Sequence, residues 1–173
     1  SSEAEIAEPS ETLFNTSGMR LMLVDDNKDL LDFLREALCS DFSEIITVTG
    51  GQAALGEINS GKLPDIIVSD VNMPEGDGFW LCNQLKTNEK YSHIPIVLLT
   101  ARGEDNSQSE SYRLGADGFL AKPFEVDTLM ELIRNILKNK SEIRRRYLDN
   151  EENAEADYGS NEENFIIRLN RII

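Results

Sequence analysis

Between Arg20 and Tyr147, short apolar runs alternate with longer amphipathic stretches, and that alternation leaves few folds open. Runs 21–24, 66–68 and 96–99 are continuously apolar and give way at once to polar residues, as strands covered on both faces of a parallel sheet do. Runs 45–48 and 119–121 are weaker strands of the same kind. After Asp25, Asp26 and Asn27, the residues Leu30, Leu31, Leu34, Ala37 and Leu38 fall on one helical face, with Asn27 placed to cap it. Val126, Leu129, Met130, Ile133 and Leu137 repeat the pattern further on, and shorter helices are expected over 52–58, 79–85 and 108–114. Gly61, the polar run 87–90 and Gly115 close those three. Five strand-then-helix units in about 125 residues predict a doubly wound α/β domain with helices on both faces of a parallel sheet. In such sheets the crossovers are right-handed, and ligands gather beyond the carboxyl ends of the strands.

Reading the residue just after each apolar run gives Asp25 and Asp26, then Asp70, Thr100 and Lys122. Three carboxylates on one rim repel, and are driven to take up protons unless a cation neutralises them. A hard divalent ion suits oxygen ligands, and Mg²⁺, which binds through few carboxylates and keeps waters for a phosphate, suits them best. Lys122 adds a fixed positive charge and Thr100 a hydroxyl, both suited to phosphoryl oxygens. Together they read as a phosphoryl-transfer site built on positioning and charge neutralisation. Each residue also has a plainer reading: Asp25 or Asp26 as a helix cap, Thr100 as a turn residue, Phe119 as a core aromatic, Lys122 as a surface lysine before a loop proline. Gly76 and Gly78 are expected as turn glycines with positive φ.

Five stretches in order carry a resemblance: Leu21-Met22-Leu23-Val24-Asp25-Asp26; Ser69-Asp70-Val71-Asn72-Met73-Pro74 with Gly76-Asp77-Gly78; Leu99-Thr100-Ala101-Arg102; Gly115-Ala116-Asp117; and Ala121-Lys122-Pro123-Phe124. With 44 residues from Asp26 to Asp70, 30 on to Thr100 and 22 on to Lys122, the chain resembles the response-regulator receiver domain over roughly 18–140. The resemblance implies a flavodoxin-like, five-stranded sheet of order 2-1-3-4-5. It implies Asp70 as phosphoacceptor from a histidine kinase's phosphohistidine. Mg²⁺ would be held by Asp25, Asp26, Asp70 and the Asn72 backbone carbonyl, with Asp26 the direct ligand and Asp25 acting more through water. Lys122 would pair with Asp70 and then with the phosphoryl group. Thr100 and Phe119 would form the switch, Ala101 would leave the approach open, and the bond before Pro123 would be cis. Phosphorylation would rework a face made of Ser107 and Leu114 with the residues between them, Phe119, and Glu125 and Lys138 with the residues between them. That face is also where a homodimer would form.

Charge divides the remainder. The net charge of -15 excludes a nucleic-acid surface for the chain as given, because phosphate backbones need a basic face. Residues 1–17 carry four acids and no base, and 149–163 carry seven acids and no base, so both read as solvated linkers. The expected organisation is an acidic leader over 1–17, a receiver over 18–140, a helix extension and acidic linker over 141–163, and an output stub over 164–173. In the extension, Arg144, Arg145 and Arg146 read as solvent-exposed or paired with the acidic run. In the stub, Phe165, Ile166, Leu169, Ile172 and Ile173 recur at helical spacing. The stub resembles the opening of an AraC-type helix-turn-helix output, as in hybrid histidine kinase/response regulators, with a free-standing transcription regulator or a kinase with a terminal receiver as the alternatives, and its uncovered face implies that the natural chain continues.

His93 is the only histidine and reads as structural, and no glycine-rich nucleotide loop is evident, so a kinase domain in cis or in trans must donate the phosphoryl group. Cys39 and Cys82 are too few for a disulfide scaffold or metal site, and read as small core or boundary residues in a reducing compartment. No run approaches the roughly 18 apolar residues of a membrane span, so a soluble, cytoplasmic chain is expected, without membrane binding. The expectation is a signalling switch and not an enzyme. Its rivals are a Mg²⁺-dependent phosphatase resembling the haloacid dehalogenase group and a receiver-like adaptor whose pocket is unused. The Asp-x-Asp spacing of the phosphatase group is missing after the first strand, where Asp25 and Asp26 are adjacent.

Overall fold

The computed structural model describes residues 12–101 and 113–158, with side chains through Ala154. The elements are β1 (Arg20–Val24), α1 (Lys28–Leu38), β2 (Glu44–Val48), α2 (Gly51–Asn59), β3 (Ile66–Asp70), α3 (Gly78–Lys86), β4 (Ile96–Ala101), β5 (Gly118–Lys122) and α4 (Val126–Tyr158). The five strands form one sheet of order β2-β1-β3-β4-β5, parallel throughout. The doubly wound sheet and its strand order are therefore as expected. Of the expected helix 108–114, only Arg113 and Leu114 lie inside the described residues.

The central strands β1, β3 and β4 each carry a continuous apolar run because side chains alternate between two buried faces. Leu21, Leu23, Ile66, Val68, Val97 and Leu99 enter one core, where Leu31, Leu34 and Leu38 of α1 meet Leu129, Met130, Ile133 and Leu137 of α4. Met22, Val24, Ile67, Ile96 and Leu98 enter the other, against Ala54 and Ile58 of α2 and Leu81, Cys82 and Leu85 of α3. Each fully buried Leu or Ile contributes about 1.5–3 kcal/mol relative to exposure, so these two layers dominate stability. Asn27 caps α1 as expected, its side chain accepting from the Leu30 N–H.

The strand order reverses between β1 and β3, β2 lying to one side and β3 to β5 to the other. That reversal opens a crevice at the carboxyl ends of β1 and β3. Asp70 and Lys122, expected just past their strands, are the last strand residues, and Thr100 lies inside β4. The backbone ladder therefore holds these three directly.

Two units divide the chain, Ser1–Leu137 and Lys138–Ile173. The expected acidic linker opens as helix: α4 continues through residue 149 to Tyr158. The physical reason is local. No glycine or proline interrupts 126–158, whose Glu, Ala, Leu, Lys and Arg content favours helix, and Gly159 follows directly in sequence. Arg144, Arg145 and Arg146 are exposed. The leader up to residue 11 and the stub 164–173 lie outside the described residues. No helix among the described residues is long and apolar enough to cross a membrane.

Candidate phosphoacceptor and metal site

Asp25 and Asp26 follow β1, Asp70 ends β3, Thr100 lies near the end of β4 and Lys122 ends β5, so five residues far apart in sequence converge on one rim. The strand register fixes much of this: Asp70 stands beside Leu99, and Thr100 beside Ala121. Oxygens of Asp25, Asp26 and Asp70 all lie within 4.8 Å of one another. Asp25 (3 % exposed), Asp70 (7 %) and Thr100 (2 %) are buried, whereas Asp26 is exposed to solvent.

The Asp25 backbone is tied to β2 by its N–H to the Val48 carbonyl, and its side chain accepts from the Asn27 N–H at 2.9 Å. Lys122 Nζ donates to Asp25 Oδ2 at 2.9 Å and lies 3.4 Å from Asp70 Oδ1. The pairing expected for Lys122 with Asp70 is thus present, but its nearer partner is Asp25. Burial and then the Asp25 charge push the Asp70 carboxyl above its ordinary value, against the pull of Lys122 and a hydrogen bond from the Asn72 backbone. Burial alone would lower Lys122. Hydrogen bonding to Asp25 and the charges of both aspartates outweigh it, and the ammonium ends above its usual range. One ammonium does not compensate three carboxylates. The surplus negative charge, the hard oxygen donors and their spacing fit a divalent cation such as Mg²⁺, which Asp25, Asp26 and Asp70 would hold.

Other expected site residues lie around this cluster. Ala101 is exposed at the end of β4, Asn72 is exposed two residues past Asp70, and Phe119 is half-buried in β5. The Lys122-Pro123 peptide is cis. Gly76 has the expected positive φ of 77°, and its missing Cβ leaves room for the Trp80 ring. Gly78 does not have a positive φ. It opens α3, and a Cβ there would sit 2.4 Å from the Asp70 carbonyl oxygen, so close backbone approach is what requires glycine. His93 is exposed in the turn before β4. Cys82 is buried, with its thiol pushed up to about 11 by desolvation, while Cys39 is exposed just after α1.

For two residues of the quoted motifs, Asp77 and Asp117, sequence reasoning gave no supporting role. Asp77 caps α3, accepting from the Trp80 N–H at 2.7 Å, and so aims the segment that leaves Asp70. The helix-start pattern could have signalled it. Asp117 accepts from both Lys86 Nζ and the Ile96 N–H at 2.9 Å, joining α3 to the starts of β4 and β5, a long-range role no local pattern discloses.

Residues 21–134 match the family model described as the response regulator receiver domain, a span that includes every member of the cluster. The chain belongs to the receiver family. Among curated relatives, this receiver is 37% identical over 127 residues to Histidine kinase P4 of Formosa agariphila, covering 73% of this chain and 9% of that protein. It is 30% identical over 127 residues to the DNA-binding dual master transcriptional regulator RpaA of Synechocystis, covering 72% of this chain and 51% of the regulator. The chain therefore spans about half, or far less, of these relatives' own lengths. Among solved structures, the receiver domain of a signal transduction histidine kinase from Syntrophus aciditrophicus matches with a TM-score of 0.65 at 30% identity, covering 70% of this chain and 92% of that one. The chemotaxis response regulator CheY4 of Vibrio cholerae matches at 0.63 with 28% identity, covering 69% and 99%.

Proposed function

We propose that this receiver is a phosphorylation-dependent switch in which Asp70 accepts a phosphoryl group from the phosphohistidine of a kinase domain. The observation that supports this most directly is the set of three carboxylates within 4.8 Å, two of them buried, with Lys122 in reach of both Asp25 and Asp70. In the step, an Asp70 carboxylate oxygen attacks phosphorus, the bond from phosphorus to the histidine nitrogen breaks, and the imidazole leaves with that electron pair. Mg²⁺, when bound, supplies charge neutralisation for the acidic cluster and the incoming phosphoryl oxygens. Asp25, Asp26, Asp70 and the Asn72 carbonyl are its proposed ligands. Lys122 is already bonded to Asp25 and close to Asp70, and would turn its ammonium toward the phosphoryl oxygens. Thr100 would bring its hydroxyl to the same group, with Ala101 leaving the approach open. Phe119, which pairs with Leu98 two residues before Thr100 on β4, would follow that movement.

The change would be read on the face made of residues 107–114, Phe119 and 125–138, most of whose first segment lies outside the described residues. The receiver would span 18–140, flanked by the leader 1–17, the extension 141–163 and an output stub at 164–173. An AraC-type output in a hybrid kinase parent is supported by the sequence of that stub, and the kinase and DNA-binding names of the two curated relatives are in keeping with such an assembly. The test is labelling by acetyl phosphate with Mg²⁺. The wild-type chain should gain one acid-stable, hydroxylamine-labile phosphoryl group, lost with EDTA and in Asp70→Asn. Equal labelling of Asp70→Asn would remove the assignment.

A further inference from the structure

The segment after Leu137 is helical to Tyr158, yet the described side chains of that stretch include Ile143 and Tyr147 at 68 % and 67 % exposure, with Leu148 exposed beside them. Most helical stability in proteins comes from packing of an apolar face and not from propensity, and this stretch shows its apolar side chains to solvent. Ile143, Tyr147, Asn150 and Ala154 follow at steps of four, three and four, the alternation of threes and fours that marks the seam of a two-helix coiled coil. The charges along the same helix are segregated. Lys138, Lys140, Arg144, Arg145 and Arg146 against Glu142 leave the first half at +4, and Asp149, Glu151 and Glu152 make the second half negative.

We propose that this stripe is a self-association surface, occupied by the same helix of a second copy of this chain running antiparallel. Two helix axes in such a seam lie roughly 8–10 Å apart, about one Debye length in physiological salt, so the charge blocks of the two copies sense each other. A parallel pair sets the basic block beside the basic block. The antiparallel pair sets basic against acidic, with Ile143 opposite Ala154, Tyr147 opposite Asn150, and Arg144 on the flank meeting Glu151 of the second copy. Asn150 supplies the polar seam position that fixes register and orientation. The stripe includes no residue of the acidic cluster, so the association does not depend on phosphoryl transfer.

Sedimentation velocity on the full 173-residue chain tests this. A concentration-dependent dimer, weakened by added salt, is expected. Ile143→Asp with Tyr147→Asp should give a monomer that still labels with acetyl phosphate to the wild-type extent. Arg144→Glu should weaken the dimer, and adding Glu151→Arg should restore it. In a Cys39→Ser background, an oxidised mixture of Ile143→Cys and Ala154→Cys chains should yield the mixed disulfide. A monomer at all concentrations, a dimer indifferent to the two Asp substitutions, or disulfides between like positions would overturn the proposal. So would a monomer whose arginines serve only to bind duplex DNA.

Discussion

Asp70→Asn should make the metal-free protein more stable. In the wild-type chain an ionised Asp70 faces the oxygens of Asp25 and Asp26 within 4.8 Å and Lys122 at 3.4 Å. With an effective dielectric of 20, each repulsion amounts to about 3.5 kcal/mol and the attraction to about 5 kcal/mol, so the charge is unfavourable by about 2 kcal/mol before burial is counted. Asp26 is exposed and its share is screened, which cancels most of that Coulomb excess, so burial of the Asp70 carboxylate carries the expected gain from Asn of about 1–2 kcal/mol, or about 3–8 °C in Tm for a domain of this size. The pH dependence has a definite sign. Because the folded-state value of Asp70 is raised, the folded protein holds that proton more tightly than the unfolded chain does. Wild-type stability therefore falls as pH rises from the unfolded value, about 3.9, through the raised folded value, and stays lowered above it. The advantage of Asp70→Asn should be full at pH 7 and vanish at acid pH. Mg²⁺ should reverse the ranking, since a ligand at 100 times its Kd stabilises the folded state by about 2.7 kcal/mol. Calorimetry in EDTA and in Mg²⁺, across pH, reads all three. A variant no more stable than wild type in EDTA at pH 7 would refute the electrostatic reasoning, and so would a gap unchanged at acid pH.

Gly78→Ala should cost about 2–4 kcal/mol in chemical denaturation and reduce Asp70 labelling, because the new methyl meets backbone at 2.4 and 3.0 Å and neither atom can swing aside. Gly56→Ala, with nothing within 4 Å, should instead stabilise by up to about 1 kcal/mol. A disulfide reagent should modify Cys39 rapidly and Cys82 only on unfolding, given the burial of Cys82 and its thiol value of about 11; equal rates on the native chain would contradict that placement. Asn27→Ala should lower stability by about 1 kcal/mol through the lost cap on α1, measurable as a shifted denaturation midpoint with an unchanged slope.

Much of the fold was legible because the physics that sets it is local. Continuous apolar runs and the spacing of Leu30, Leu31, Leu34 and Leu38 identify doubly covered strands and a one-faced helix without reference to distant residues. The weakest expectations fell where local signals compete. Gly78 read as a turn glycine because its crowding by the Asp70 carbonyl is visible only once α3 returns to β3. The acidic run from 149 read as linker because net charge suggests disorder, although the helix propensity of its residues is high and nothing breaks the helix before Gly159.

The sequence by itself determined which chemistry this protein carries: the number and kind of oxygen donors, one lysine, one threonine, and the strand ends on which they stand. Only the tertiary structure decided how those groups share charge. The sheet order sets Asp25 and Asp70 at the ends of adjacent strands and lets Lys122 reach both from β5, 97 residues of chain beyond Asp25, while burial and the Asp25 charge disfavour the ionisation of Asp70. Electrostatic energy depends on separation in space and on burial, and neither quantity is written along the chain.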